Sequence, residues 1–163
     1  MDSTVTTFPS CRECALRPDR VFCDLPLDAL EAFDSVQQTV AVPKDSVLFR
    51  EGQNSKGVFV ICEGRVRLTV CSESGKRMLL RVAGAGEVLG LSAALAGSPY
   101  EISAHAIENC QVSMVRRKDL LDFLRKHREA CLQIVSLLSE DLHFAYERVR
   151  SVGLGRMRRA PVV

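Results

Sequence analysis

Three cysteines near the N-terminus are the residues of this chain whose type and spacing best suit metal binding or redox chemistry. Two residues separate Cys11 from Cys14, and Cys23 follows after eight more. Thiolates are soft ligands for zinc and iron–sulfur centres, and a two-residue gap lets two sulfurs reach one centre. Arginines lie among these cysteines, and their positive charge favours the reactive thiolate form. The spacing therefore predicts a metal or redox centre.

A fourth ligand for such a centre has to come from elsewhere in the chain. The candidates are Cys62, Cys71 and Cys110. Cys62 ends an apolar run and is expected to pack, whereas Cys71 shares the polar face of a predicted strand. Cys110 has the strand parity of Val112 and Met114, so both a ligand and a buried structural cysteine stay open there. With seven cysteines, an odd number, a disulfide framework is not expected.

Composition limits the class of protein. The chain has 163 residues, 47% of them hydrophobic, which suits one globular domain with appendages. Its 22 basic and 20 acidic residues are too balanced for wholesale binding to nucleic acid or to an anionic membrane. No apolar run is long enough to cross a bilayer and no signal peptide opens the chain, so we expect a cytoplasmic protein without membrane contact.

Catalysis is not expected. The histidines, at positions 105, 127 and 143, are scattered along the chain. There is no nucleophile–histidine–acid order, no paired-carboxylate motif and no phosphate-binding loop of the Walker type. The sequence therefore predicts a sensor or interaction module rather than an enzyme.

The elements that must position these residues divide the chain into four parts. Residues 1–24 form a cysteine-bearing leader, in which Pro9 and Pro18 oppose a continuous helix. Residues 25–127 combine a short helix after Pro26 with a β-rich core in which glycines recur at turns. The clearest strand is 65–71, with its turn at 74–76, and a further short helix is expected over 118–124.

A long helix over 128–153, ended by Gly153, carries an a/d repeat that is typical of helix pairing. Because Ile134 and Leu137 offer a second stripe for the chain's own β domain, we predict that the seam mediates a parallel homodimer. Packing of the seam within the chain is the alternative. The seam residues are Cys131, Val135, Leu138, Leu142, Ala145, Val149 and Val152.

The order of these features resembles the sensory half of Crp/Fnr-type bacterial transcription regulators. The most specific signals are the three glycine-containing segments 49–52, 62–66 and 86–90, which fall in the family's order and spacing. The resemblance implies an α+β fold: a double-stranded β-helix, the jelly roll typical of cyclic nucleotide-binding domains, with short flanking helices and a long C-terminal dimerisation helix.

The resemblance also implies a DNA-binding function, through a helix-turn-helix domain that follows the dimer helix. Residues 154–163 form a basic tail too short for that motif, so DNA reading is expected only through a domain not present in this chain. The oxygen- and nitric-oxide-sensing branch of the family holds a [4Fe–4S] cluster with four cysteines. We accordingly predict Cys11, Cys14, Cys23 and Cys110 as metal ligands, although Ser113 aligns with the family's fourth position, and zinc is the alternative metal.

A cyclic-nucleotide pocket is the alternative functional prediction. Nucleotide-binding relatives place a glutamate and an arginine where this chain has Leu91 and Ile102. A phosphate without a cationic partner is poorly tolerated in a pocket, which argues against a cyclic nucleotide as the ligand. The predicted pocket residues are Gly86, Gly90, Leu91, Ser92, Ile102 and Ser103.

Overall fold

The computed structural model describes Phe22 and residues 25–157, without the side chains of 154–157. The predicted leader cysteines Cys11, Cys14 and Cys23 lie outside the described residues. In chain order the elements are α1 (Leu27–Val36), β1 (Gln37–Val42), β2 (Val47–Phe49), β3 (Gly57–Glu63), β4 (Val66–Cys71), β5 (Arg77–Ala83), β6 (Val88–Leu89), α2 (Leu91–Ala96), β7 (Ser103–Ala106), β8 (Cys110–Arg116), α3 (Arg117–Lys126) and α4 (Arg128–Met157).

Eight strands form two antiparallel sheets in the described part of the chain. One sheet has the order β1-β8-β3-β6 and the other has the order β2-β7-β4-β5. Strands that are distant in sequence are neighbours in both sheets, as in a jelly roll, and the inward-facing residues of the two sheets meet in a common core. The predicted α+β jelly roll with flanking helices is confirmed.

Local sequence explains why the elements lie where they do. Helix α1 follows Pro26, whose carbonyl accepts the N–H of Leu30 at 2.9 Å, and buries Leu30 and Phe33. The ring of Phe22 stacks on Phe33 with centroids 5.1 Å apart. In β4, Val66 and Leu68 are buried while the intervening Arg67 is exposed, as the alternating pattern predicts. The alternation ends where the register with β5 shifts between Leu68 and Thr69: Thr69 is buried and Val70 is only half-buried.

Helix α4 has two halves with different surroundings. In the first half, Ala130 and Ile134 are buried, and Leu137 and Leu138 pack against the same core cluster as α1 and α3. In the second half, apolar residues are exposed: Leu142 is 53% exposed and Val149 is 68% exposed. The prediction that Ile134 and Leu137 pack on the chain's own domain is therefore confirmed.

The expected end of α4 at Gly153 is wrong, because the helix continues to Met157. Gly153 does not adopt the positive φ of a glycine cap, and a Cβ built on it meets no atom within 4 Å. A glycine lowers helix stability by only about 1 kcal/mol relative to alanine, so it does not by itself end a helix. No helix among the described residues is long and apolar enough to cross a membrane.

Candidate functional site

A cavity of about 600 Å³ lies between the second half of α4 and the sheet that contains β4 and β5. Its volume is within the range of small-molecule sites, roughly 300–1,000 Å³. Most of its wall is apolar, and its polar residues are few. The lining residues are Leu68, Met78, Leu80, Arg81, Val88, Leu89, Gly90, Ser92, Glu101, Ile102, Leu138, Asp141, Leu142, Phe144, Ala145, Arg148 and Val149.

The floor of the cavity depends on Gly90, which precedes α2. Gly90 has a φ of 78°, and a Cβ on it would lie 2.8 Å from Cε1 of Tyr100. The hydroxyl of Tyr100 in turn donates to the carbonyl of Gly57 at 2.8 Å. Because only glycine suits this conformation and this close approach, the β6–α2 turn and the tyrosine ring fix each other beside the cavity.

Arg81 of β5 is a cation in the cavity wall whose charge is already neutralised. Its guanidinium donates to the carboxylate of Glu87 and lies 3.9 Å from the carboxylate of Asp141 on α4. It also lies over the ring of Phe144, 5.6 Å from the centroid. This ion pair and cation–π contact connect the β domain to the middle of α4.

The carboxyl group of Asp141 has a pKa above the ordinary value for an aspartate. Burial raises the pKa of Asp141, and the negative charges of Glu87 and Glu140 raise it further, while Arg81 lowers it without cancelling the increase. The connection between β5 and α4 therefore carries one carboxyl group that takes up a proton more readily than a free aspartate.

Arg148 is the second cation of the cavity wall, and it lacks an anionic partner in the described part of the chain. Its Nη2 donates to the carbonyl of Leu79 at 2.7 Å, but its Nε is buried and has no acceptor there. A buried donor left without an acceptor costs about 1–3 kcal/mol. Arg148 therefore offers unused hydrogen-bonding capacity and an unpaired positive charge at one end of the cavity.

Three of the six predicted pocket residues line this cavity: Gly90, Ser92 and Ile102. The other three do not. Leu91 is buried in the helical core cluster, Gly86 lies in the turn before β6, and the hydroxyl of Ser103 accepts the N–H of Glu51 at 2.9 Å. A ligand-binding role for the six residues stays a prediction.

Among the cavity residues that the sequence did not identify are three charged ones, Arg81, Asp141 and Arg148. Asp141, Ala145 and Arg148 follow the spacing of one helix face. Asp141 and Arg148 thus share the face of the apolar seam residues Leu138, Leu142 and Ala145, which is an unusual position for two charges. The spacing of Asp141 and Arg148 along α4 was a signal for a polar site on this helix face. It could not reveal that β5 lies opposite this face.

The surroundings of Cys110 do not favour a role as a metal ligand. Burial raises the pKa of the Cys110 thiol, which disfavours the thiolate that a metal requires. Its Sγ lies 3.2 Å from the carbonyl oxygen of Glu108 and 3.4 Å from that of Arg65. Among residues 25–157 and Phe22, no group of three or more histidine, cysteine, aspartate or glutamate side chains could hold a metal ion. The ligand role of Cys110 stays a prediction that this environment does not favour.

Cys62 lies beside Ser113, the position that the resemblance marks for a fourth ligand. Its Sγ is 3.3 Å from the hydroxyl oxygen of Ser113, which in turn is 3.2 Å from the hydroxyl of Thr39. Ser113 is buried and Cys62 is half-buried. The two residues are 51 positions apart in sequence, so only the pairing of β3 with β8 brings them together.

Comparisons with known proteins place this architecture in a family. A family model described as a cyclic nucleotide-binding domain matches residues 39–127, more than half of the chain. The chain is 26% identical over 102 residues to patatin-like phospholipase domain-containing protein 6 of Pongo abelii, a match that covers 63% of this chain and 8% of that protein.

Two bacterial regulators match a longer part of the chain. The transcriptional activator protein Anr of Pseudomonas protegens is 26% identical over 130 residues, covering 77% of this chain and 53% of that protein. The anaerobic regulatory protein of Bacillus subtilis is 21% identical over 126 residues, with the same coverage of 77% and 53%. The chain thus spans about half the length of the regulators it matches.

Solved structures show the same fold. The catabolite activator protein of Thermus thermophilus aligns with a TM-score of 0.73 at 22% identity, covering 82% of this chain and 62% of that one. The sensor domain of the regulator DNR from Pseudomonas aeruginosa aligns with a TM-score of 0.65 at 18% identity, covering 91% and 92%. The chain therefore belongs to the cyclic nucleotide-binding domain family, with Crp/Fnr-type transcription regulators among its relatives.

Proposed function

We propose that this chain is the sensor and dimerisation module of a Crp/Fnr-like DNA-binding transcription regulator, in which the second half of α4 pairs with a second copy of the chain. The observation that carries the proposal is the exposure of the predicted seam. Leu142 and Val149 in this half, and Val135 just before it, are each more than half exposed, although all three are apolar. A continuous apolar stripe of this kind is typical of a helix that pairs with another helix.

Several residues of the predicted seam also line the cavity, so a small molecule bound there could alter the pairing of α4 with its partner helix. Leu138, Leu142, Ala145 and Val149 belong to the predicted seam and also line the cavity. A ligand in the cavity would contact these side chains and change how they are presented to the partner helix. A coupling free energy of about 1–3 kcal/mol would change dimer affinity roughly 5- to 150-fold. The cavity is accordingly the proposed sensory site.

Sedimentation equilibrium of the chain tests this function. We expect a reversible dimer, which Leu142→Asp together with Val149→Asp weakens at least a hundredfold because two charges would be buried in the seam. His143→Asp, a change to the exposed residue beside Leu142, is the matched control and should leave dimerisation almost unchanged. A wild-type chain that remains monomeric at every accessible concentration would contradict the proposal.

Recognition of DNA is proposed for a helix-turn-helix domain of the whole regulator, since the chain spans about half the length of the regulators it matches. The bacterial relatives, a transcriptional activator and an anaerobic regulatory protein, support a regulatory function of this kind. A cytoplasmic location and a function without catalysis belong to the same proposal.

A redox or gas signal read by the leader cysteines is the second candidate. It is supported by the spacing of Cys11, Cys14 and Cys23 and by the relative named as an anaerobic regulatory protein. These three thiols would hold an iron–sulfur cluster, or zinc, and a cluster would supply sensitivity to oxidants. The fourth predicted ligand, Cys110, is less favoured because it is buried, whereas Cys62 is half-buried beside Ser113.

Metal analysis and a visible spectrum of the chain purified without oxygen test the second candidate. We expect iron with absorbance that decays in air, and we expect Cys62→Ser to lower the metal content more than Cys110→Ser does. Zinc without colour would support the zinc alternative. A colourless protein with neither metal would remove this candidate and leave the cavity-based function unaffected.

A further inference from the structure

The cavity beneath α4 has a distribution of charge that selects a class of ligand. Arg81 is paired with Glu87 and Asp141, so its charge is not available to a ligand. Glu101 is exposed at the rim and would repel an anion there. Arg148 combines a buried Nε that lacks an acceptor with a location in the cavity wall. The free positive charge therefore lies at the end of the cavity formed by α4 and β5.

The remainder of the cavity wall accepts apolar groups. Leu68, Leu80 and Ile102 contribute aliphatic surface from the β domain, and Leu142 and Phe144 contribute apolar surface from α4. On the β-domain side, few polar side chains could bind the hydroxyl groups of a sugar: Ser92 and Glu101 line the cavity, whereas Ser103 is engaged by the N–H of Glu51 and Leu91 faces the core. Hydroxyl groups buried against this wall would lose their hydrogen bonds to water.

We propose that the cavity binds an apolar organic acid, with its carboxylate held by Arg148 and its hydrocarbon or aromatic body against the wall of the β-roll, rather than a cyclic nucleotide. The guanidinium has five N–H donors in a planar fork that matches a carboxylate, and only Leu79 takes one of them among the described residues. This inference rests on the proposed sensory role of the cavity and names its ligand class.

Binding of such an acid has a direct consequence for the helix. Arg148 belongs to the second half of α4 and its Nη2 already contacts β5 through Leu79. A carboxylate beside it supplies the missing acceptor for Nε and neutralises the charge. The acid thereby holds α4 against the β domain close to Val149, a residue of the predicted seam that is 68% exposed.

Isothermal titration calorimetry with the whole chain tests the ligand class. The probes are decanoate and 1-naphthylacetate, each compared with the neutral alcohol of the same skeleton, and cyclic AMP. We expect at least one acid to bind about tenfold to a hundredfold more tightly than its alcohol, as a charge-assisted hydrogen bond provides. We expect cyclic AMP to bind more weakly than that acid.

Two variants identify the anchoring residue. Arg148→Gln should remove the preference for acid over alcohol while retaining binding of the alcohol, and a far-ultraviolet circular dichroism spectrum checks that it folds. Arg150→Gln is the matched control, because Arg150 lies on the same helix but pairs with Glu147 at 3.0 Å in solvent. It should keep the preference.

Several outcomes would overturn the inference: equal binding of acids and alcohols, absence of binding by all four, tighter binding of cyclic AMP, or the same loss in both variants. Sedimentation equilibrium without any ligand reports separately on the dimer. A chain that dimerises but does not prefer acids therefore retains the proposed function and loses only this inference.

Discussion

The two halves of α4 are continuous in backbone and differ in environment. One face of Arg128 to Leu138 packs against α3 and the helical core, with Ala130 and Ile134 buried, while Leu132 and Val135 on the other face are exposed. From Asp141 onward the helix borders the cavity on one side and exposes Leu142, Tyr146 and Val149. The difference shows that a single helix can be anchored at one end and remain available at the other. A signal that acts where the second half of α4 meets β5 therefore needs to move only this second half.

The junction itself consists of polar contacts rather than packed apolar side chains. Arg81 connects β5 to Asp141, and Arg148 connects α4 to the backbone of β5. Partly exposed ion pairs contribute only about 0–1 kcal/mol each. The second half of α4 is thus held to the domain more weakly than the first half, as a movable signalling element requires.

The largest effect is expected in the anchored half. Ile134→Ala removes a side chain that is only 4% exposed and leaves a cavity, so the free energy of unfolding should fall by about 2–5 kcal/mol. Chemical denaturation measures the change. Leu132→Ala, at a residue of the same half that is 70% exposed, is the control and should change stability by less than about 0.5 kcal/mol. Similar losses in both variants would show that the first half is not anchored as described.

A smaller effect is expected near the end of the available half. Gly153→Ala places a methyl group where no atom lies within 4 Å, and it raises helix propensity by about 1 kcal/mol. We expect the stability of the dimer to rise by this amount, as measured by the dilution dependence of unfolding. In a monomeric seam variant we expect little gain, because the end of the helix frays there. An equal gain in both backgrounds would mean that the end of α4 is ordered without a partner.

The smallest effect concerns Asp141 at the junction. Because burial raises the pKa of this carboxyl above its ordinary value of 3.8, the folded state binds a proton more readily than the unfolded state. Stability therefore falls as pH rises through that range, and the ionised carboxylate costs stability at neutral pH. Asp141→Asn should raise the melting temperature at neutral pH, with a gain that shrinks as pH approaches 3.8. A variant less stable than wild type at neutral pH would contradict this account.

Periodicity in the sequence was sufficient to predict α1, β4 and the anchoring stripe of α4, because these depend on local spacing of apolar residues. The resemblance supplied the jelly roll. The extension of α4 past Gly153 was not predicted, since a glycine lowers helix propensity without forcing an end. Local pattern therefore located the elements better than it located their boundaries.

The site was less predictable because its residues are distant in sequence. Arg81 and Arg148 face one cavity only because α4 returns along β5, and Cys62 lies beside Ser113 only because β3 pairs with β8. Neither relation has a local signal. Leu91 is a further example: the family resemblance marks it as a pocket residue, but its side chain packs into the core.

Amide hydrogen exchange along α4, measured at protein concentrations well below and well above the dimer dissociation constant, tests the central claim most directly. We expect equal protection of Ala130 and Ile134, which the chain's own core buries, at both concentrations, and protection of Asp141 to Val152 that rises with concentration as the seam becomes paired. Protection of the second half that is the same at both concentrations would contradict the claim that this half of the helix is a dimer surface.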